Sequence, residues 1–167
     1  MTANAEHTLV AVVENEAGVL ARVVGLFARR GYNIASLAVA PTQDERFSRI
    51  TFVYNGSSPV EQVVAQINKL INVLSIEAID PDNSIERELL LATVNVSDDA
   101  RSALVEVAKS YEGKIIDVGD GAVTVMLAAR STKLDEFEEA IKPLGIATLQ
   151  RSGRIALPLA ERQTANT

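Results

Sequence analysis

The order of strand-like and helix-like segments constrains the fold of this chain more than any other feature of its sequence. Short apolar runs rich in β-branched residues indicate strands, and apolar residues recurring three and four positions apart indicate helices. In the first 80 residues these patterns follow one another as strand, helix, strand, strand, helix, strand. The predicted strands are residues 8–14, 33–40, 47–54 and 73–79.

This order predicts a four-stranded antiparallel sheet with both helices on one face, because connections of this kind are right-handed. The arrangement is the ferredoxin-like sandwich. The residues expected to turn towards the sheet are Leu20, Val23, Val24 and Phe27 in the first helix, and Val60, Val63, Val64, Ile67 and Ile71 in the second. In the third strand Phe52 and Tyr54 fall on one face, which is expected to be the helix side.

After a polar segment at residues 80–88, which reads as a linker, the same order of elements returns. Ser97 is predicted to cap the third helix, and Tyr111 and Phe137 are predicted to lie in the second core. The chain is therefore predicted to be an α+β protein of two tandem ferredoxin-like βαββαβ sandwiches. Their expected boundaries are residues 8–82 and 83–158, with flexible ends at 1–7 and 159–167. The strands predicted in the second sandwich are residues 89–96, 114–118, 122–129 and 146–150.

Composition excludes several classes of function. The chain has 167 residues, with 16 Lys and Arg against 22 Asp and Glu, one His and no Cys. A net charge of −6 argues against general binding of nucleic acid, which needs clustered cations. Without Cys, and with His7 as the single His, thiol chemistry and multi-histidine metal sites are excluded. No apolar segment approaches the roughly 20 residues of a membrane span, and the first residues show no secretory signal.

The turn between the first strand and the first helix is the best candidate for a binding site. It runs from Asn15 to Gly18 and leads into Val19 and Leu20. The first N–H groups of a helix lack internal partners and bind carboxylate or phosphate, and a glycine lets a ligand approach the backbone. From spacing alone two interpretations stay open. Either Asn15 caps the helix and Gly18 only makes the turn, or the turn binds a small ligand.

Three segments give the sequence a specific resemblance to a known family. They are ENEAGVLARVVGLFARRGYNIASLAVAPT (14–42), GKIIDV (113–118) and QRSG (150–153). These segments resemble the small regulatory subunit of acetolactate synthase (acetohydroxyacid synthase), and the likeness runs from about Thr8 to Leu157. The resemblance implies that the first half is an ACT domain, a ferredoxin-like module that binds a small amino acid and pairs with its copy in a second subunit.

The resemblance also implies which residues bind the effector. Backbone N–H groups near Gly18, Val19 and Leu20 would bind its carboxylate, and Asn33 would hold its amino group or the partner chain. Ala21 departs from relatives that carry serine there, which is expected to alter affinity without removing the site. The implied effector-binding residues are Asn15, Gly18, Val19, Leu20, Asn33 and Ile34, with Ala21 and Ala40 supporting the pocket.

The implied function is that of a non-catalytic subunit with no catalytic residue and no metal site of its own. It would activate a separate catalytic large subunit and confer feedback inhibition by valine in branched-chain amino-acid biosynthesis. Thiamine diphosphate, Mg²⁺ and FAD are expected in that large subunit, and no cofactor in this chain. The protein would be cytoplasmic and would form a homodimer through its ACT domains, with its second half meeting the large subunit.

Three other functions are possible for a chain with this order of elements. A stand-alone ACT-type amino-acid sensor would have the same site but regulate a different enzyme. A small acylphosphatase-like hydrolase would need an Arg in the first turn, and no Arg lies between Thr8 and Ala21. An RNA-binding module would stack bases on sheet aromatics such as Phe47 and Tyr54, but the first 80 residues carry six basic and eight acidic side chains.

Overall fold

The structure, a computed structural model, describes residues 6–56 and 58–160 and has the predicted order of elements in both halves. The described residues form two compact units. One contains the chain up to Ile85 and again from Ile155 onward, and the other is Glu86–Arg154. The residues predicted as flexible ends fall mostly outside the described part of the chain.

The first unit contains a four-stranded antiparallel sheet with strand order β2-β3-β1-β4. Within the described residues, β2 therefore pairs only with β3, and its other edge is open. The first strand begins at Glu6, two residues earlier than the pattern predicts, because His7 pairs with Tyr54 and their rings stack 5.2 Å apart. The elements are β1 (Glu6–Glu14), α1 (Val19–Arg30), β2 (Asn33–Pro41), β3 (Phe47–Asn55), α2 (Val60–Ile67) and β4 (Val73–Ala78).

The core of this unit lies between the sheet and its two helices. Phe52 and Tyr54 are both fully buried there, as predicted, so neither ring is available to stack on a base. Two helix predictions were wrong. In α1 the buried positions are Val19, Val23, Leu26 and Phe27, which leaves Leu20 39% exposed and Val24 half-buried. Helix α2 ends at Ile67, so Ile71 lies in the following loop and is 92% exposed.

The second unit repeats the plan with strand order β6-β7-β5-β8. Ser97 caps α3 as predicted, and Phe137 is fully buried with the Tyr111 ring 5.4 Å away. The segment predicted as a linker is shorter than expected, because only Pro81–Asn83 forms a single 3-10 turn before β5 begins at Ser84. The elements are β5 (Ser84–Asn95), α3 (Asp98–Ser110), β6 (Lys114–Gly119), β7 (Ala122–Ala129), α4 (Ser131–Ile141) and β8 (Ile146–Arg151).

A ninth strand, β9 (Ile155–Pro158), returns the chain to the first unit. It pairs with β5, and just beyond it the Leu159 N–H donates to the Asn83 carbonyl at 3.0 Å. The strand β9 does not continue β8. It is instead a separate strand, because Gly153 has a φ of +83° and the chain changes direction there.

A buried carboxylate fixes the end of the second unit's sheet. Glu88 is 7% exposed and accepts hydrogen bonds from the Arg151 guanidinium, 2.7 Å and 3.2 Å long, and from the Ser131 hydroxyl at 2.9 Å. Arg151 also donates to Asp135 at 2.5 Å. The network therefore joins β5, β8 and α4 through Arg151.

This network makes the stability of the second unit depend on pH. Burial raises the pKa of Glu88, but the hydrogen bonds from Arg151 and Ser131 outweigh burial and hold that pKa below its ordinary value of 4.5. The folded protein therefore binds this proton more weakly than the unfolded chain. We expect its contribution to stability to be complete above about pH 4.5 and to be lost as the pH falls through the lowered pKa.

Thermal unfolding between pH 7 and pH 3 measures this effect. In the Glu88→Gln variant the melting temperature is expected to fall less at acid pH than it does in the unmodified chain. Glu136→Gln is the matched control, because Glu136 is exposed on α4 and makes no hydrogen bond or ion pair in the part of the chain that the structure describes. If the melting temperatures of Glu88→Gln and the unmodified chain fall equally at acid pH, the ionised Glu88 carboxylate does not stabilise the second unit.

Candidate functional site

Asn15, in the turn that joins β1 to α1, makes two hydrogen bonds to the loop before β3. The Asn15 N–H donates to the Arg46 carbonyl at 2.7 Å, and Asn15 Nδ2 donates to the Glu45 carbonyl at 2.9 Å. Asn15 therefore does not cap the helix, so the capping interpretation is wrong. The N-cap position is occupied by Gly18 with a φ of +88°, a conformation that favours glycine.

The first turn of α1 presents unpaired donors to solvent. Among the described residues, the N–H groups of Gly18, Leu20 and Ala21 have no acceptor, and that of Val19 has only a 3.3 Å contact with the Glu16 carbonyl. No acidic side chain lies in this first turn to compete for them. Since a helix N-terminus also carries partial positive charge, the turn has the donors and the charge to accept one carboxylate.

Apolar groups lie beside these donors. The Leu20 side chain is 39% exposed, and Ala21 is exposed one position further along. Val19, by contrast, is 3% exposed, so only its backbone is available to a ligand. The turn can therefore bind the carboxylate of a small molecule and contact an aliphatic side chain next to it.

Two residues that the sequence did not single out support this turn. The Arg22 guanidinium donates to the side-chain oxygen of Asn72, and the Asn72 side-chain amide donates to the Glu14 carboxylate. The Glu14 N–H in turn donates to the Asn72 carbonyl at 2.9 Å. Asn72 lies 58 residues from Glu14, and only the pairing of β1 with β4 brings them together, so no local pattern could reveal the contact.

The predicted site residues in β2 do not all lie near this turn. Ala40 pairs with Arg49, close to the end of the sheet where β1 enters the turn. Asn33 pairs with Asn55 at the opposite end of this strand, seven residue steps or roughly 23 Å from Ala40. Asn33 is exposed, and Ile34 is half-buried against the core. One chain thus brings together Asn15, Gly18 and Leu20 but neither Asn33 nor Ala40, because Ala40 pairs with Arg49 and so lies on the face of the sheet away from α1.

The described residues also bear on a metal site, a membrane-spanning helix and the acidic side chains of α4. Within residues 6–56 and 58–160, no group of three His, Cys, Asp or Glu side chains is arranged to hold a metal ion. No helix in the same residues is long and apolar enough to cross a membrane. The acidic side chains on α4 form largely a solvated face, since Asp135, Glu136 and Glu139 are exposed.

Comparison with known proteins gives matches along both halves of the chain. The family described as AHAS small subunit-like ACT domain matches residues 9–75, and the family described as small subunit of acetolactate synthase matches residues 87–159. The acetolactate synthase small subunit of Mycolicibacterium smegmatis is 39% identical over 157 residues, covering 93% of this chain and 92% of that protein.

Two further acetolactate synthase small subunits, from other organisms, are also similar to this chain. The probable acetolactate synthase small subunit of Archaeoglobus fulgidus is 39% identical over 153 residues, covering 91% of this chain and 96% of that one. The crystal structure of the acetolactate synthase small subunit from Thermotoga maritima superposes with a TM-score of 0.87 at 29% identity, covering 95% and 99% of the two chains. The chain therefore belongs to the family of acetolactate synthase small subunits, regulatory proteins whose first half is an ACT domain.

Proposed function

We propose that this chain binds valine at the turn before α1 and transmits feedback inhibition to a catalytic large subunit of acetolactate synthase. The observation that carries the proposal is the open first turn of α1, with its unpaired N–H groups at Gly18, Leu20 and Ala21. Valine's carboxylate accepts from these donors. Its isopropyl group contacts Leu20 and Ala21, and its ammonium group meets the Asn15 side-chain oxygen, which the bond from Nδ2 leaves free.

The open edge of β2 supports a site shared by two copies of the chain. If two β2 strands pair antiparallel across a two-fold axis, residues near the start of one strand lie beside residues near the end of the other. The partner subunit's Asn33 then lies beside Ala40, at the end of the joined sheet where β1 enters the turn before α1. A homodimer through the ACT domains therefore unites residues that one chain keeps at opposite ends of its sheet.

In this proposal the chain itself catalyses nothing and holds no cofactor. Thiamine diphosphate, Mg²⁺ and FAD belong to the large subunit, which the small subunit activates in the cytoplasm. The family match over residues 87–159 supports a large subunit as the partner rather than an unrelated enzyme. Valine acts by favouring one arrangement of the subunits over another, which requires a difference in its affinity for the two.

Mixed dimers test both the effector and the sharing of its site. In its own homodimer Gly18→Asp is expected to weaken valine binding at least about a hundredfold, because the new carboxylate repels that of valine. Asn33→Ala is expected to weaken it at least about tenfold, because it removes a hydrogen bond to a charged group. In a dimer of one chain of each kind, one site carries both substitutions and the other carries neither. Calorimetry of the mixed dimer, isolated with two different tags, is expected to show wild-type affinity at half the stoichiometry.

Asn95→Ala is the matched control, because Asn95 is exposed on a strand of the other unit. Its homodimer is expected to bind valine as the unmodified chain does. A mixed dimer without any recovered site would mean that each site is built by one chain. An unmodified chain that binds no valine in its complex with the large subunit would overturn the choice of effector.

A further inference from the structure

A groove of about 320 Å³ lies on the face of the first sheet that is turned away from its helices. The β2 and β3 residues that line it alternate with the core residues Ile50 and Phe52, which face the helices. Its other wall is β9, whose Ile155 and Leu157 side chains are 58% and 54% exposed. The lining residues used below are Ala38, Ala40, Arg49, Thr51, Ile155 and Leu157.

Arg49 is the charged group of this groove. It is half-buried, and its cross-strand neighbours are Val12 on β1 and Ala40 on β2. Neither neighbour offers an acceptor. In the part of the chain that the structure describes, the Arg49 guanidinium makes no hydrogen bond or ion pair. A guanidinium that is partly enclosed by apolar side chains without an anion is unfavourable, because lost hydration is not replaced.

We propose that the groove is a second ligand site and that its ligand is a short aliphatic carboxylate. The guanidinium binds the carboxylate through two parallel N–H donors, the geometry for which arginine is suited. The aliphatic part of the ligand lies along Ala38, Ile155 and Leu157. The volume is at the lower end of the range for small-molecule sites, which fits a ligand of a few carbons.

This site is distinct from the proposed effector turn. Arg49 and Ala38 belong to the helix-free face, whereas Gly18 and Leu20 begin a helix on the other face. A ligand in the groove needs a carboxylate and an apolar tail, but no ammonium group, since the lining side chains include no carboxylate. The expected class is therefore a simple or 2-oxo monocarboxylate rather than an amino acid.

The test uses the full-length chain carrying Gly18→Asp, so that no carboxylate binds at the helix N-terminus. Isovalerate is titrated into the isotope-labelled protein, and backbone amide chemical shifts are followed by NMR. We expect saturable shifts at Ala38, Ala40 and Thr51, and at least a tenfold loss of affinity on adding Arg49→Gln. Isovaleramide, which has the same shape without the charge, is expected to give no such shifts.

Arg29→Gln is the matched control, since Arg29 is an exposed cation in the last turn of α1, on the other side of the sheet. It removes the same charge and is expected to leave isovalerate binding unchanged. 2-Oxoisovalerate in place of isovalerate distinguishes a 2-oxo acid from a simple acid as the preferred ligand. Three results would each overturn the proposal: no shifts in the groove, equal shifts with isovaleramide, or an affinity for isovalerate that Arg49→Gln leaves unchanged. None of them bears on valine binding.

Discussion

Replacing Gly18 by Asp is expected to abolish inhibition by valine while leaving activation of the large subunit intact. The new carboxylate occupies the place of the effector carboxylate beside the free N–H groups of Leu20 and Ala21. Two like charges in one small site cost several kcal/mol, so we expect the apparent affinity for valine to fall by at least about a hundredfold. The measurement is acetolactate formation by the reconstituted complex against valine concentration.

The matched control for this substitution is Gly18→Asn. Asn has nearly the same shape as Asp and tolerates the φ of +88° at this position comparably well, but it adds no charge. No atom lies within 4 Å of a Cβ built at Gly18, so neither side chain meets a steric obstacle. Gly18→Asn is expected to keep a measurable response to valine. Undiminished inhibition of the Gly18→Asp complex would show that the effector binds elsewhere.

Replacing Arg151 by Met is expected to cause a large loss of stability in the second unit. It leaves the Glu88 carboxylate, which is 7% exposed, without its guanidinium. Breaking a buried ion pair by removing one partner costs 3–5 kcal/mol, and we expect about 3 kcal/mol because a quarter of the Arg151 side chain is exposed. For a chain of this length the melting temperature should fall by roughly 6–12 °C.

The double variant Glu88→Gln with Arg151→Met separates charge from packing. Removing both charges eliminates the uncompensated buried carboxylate, so most of the lost stability is expected to return. Differential scanning calorimetry of both single variants and the double variant measures the coupling. If the double variant is as unstable as Arg151→Met alone, the loss arises from packing of the Arg151 side chain and not from its charge.

The order of elements could be predicted from sequence because each half has clear periodicity. The predictions were wrong about which side of α1 faces the sheet and about the residue at which α2 ends. Leu20 fits a three-and-four spacing with Val23 and Phe27, but the helix is rotated so that Val19 and Leu26 are buried instead. Ile71 continued the pattern of α2 beyond its true end at Ile67. The alternation in β3 gave the correct faces, because a strand has a strict period of two.

The candidate site could be predicted only in part. The turn from Asn15 to Leu20 is local in sequence, so a short motif was enough to predict its backbone donors and the role of Gly18. The support of that turn by Asn72, and the unpaired Arg49 on the other face, depend on pairing between distant strands. Asn33 was predicted from resemblance alone, and the structure shows why spacing could not suggest it, since it lies at the far end of β2.

The open edge of β2 has a consequence for the chain before it finds a partner. The strand contains no charged residue along its nine positions, and a register shift between Ile34 and Ser36 and the missing N–H of Pro41 interrupt it only near its two ends. Such an edge is a template for indiscriminate strand addition, and proteins usually guard it with lysine, a bulge or a cover. A chain with this edge uncovered is therefore expected to add strands and to aggregate, and the proposed pairing of two β2 strands would remove that edge.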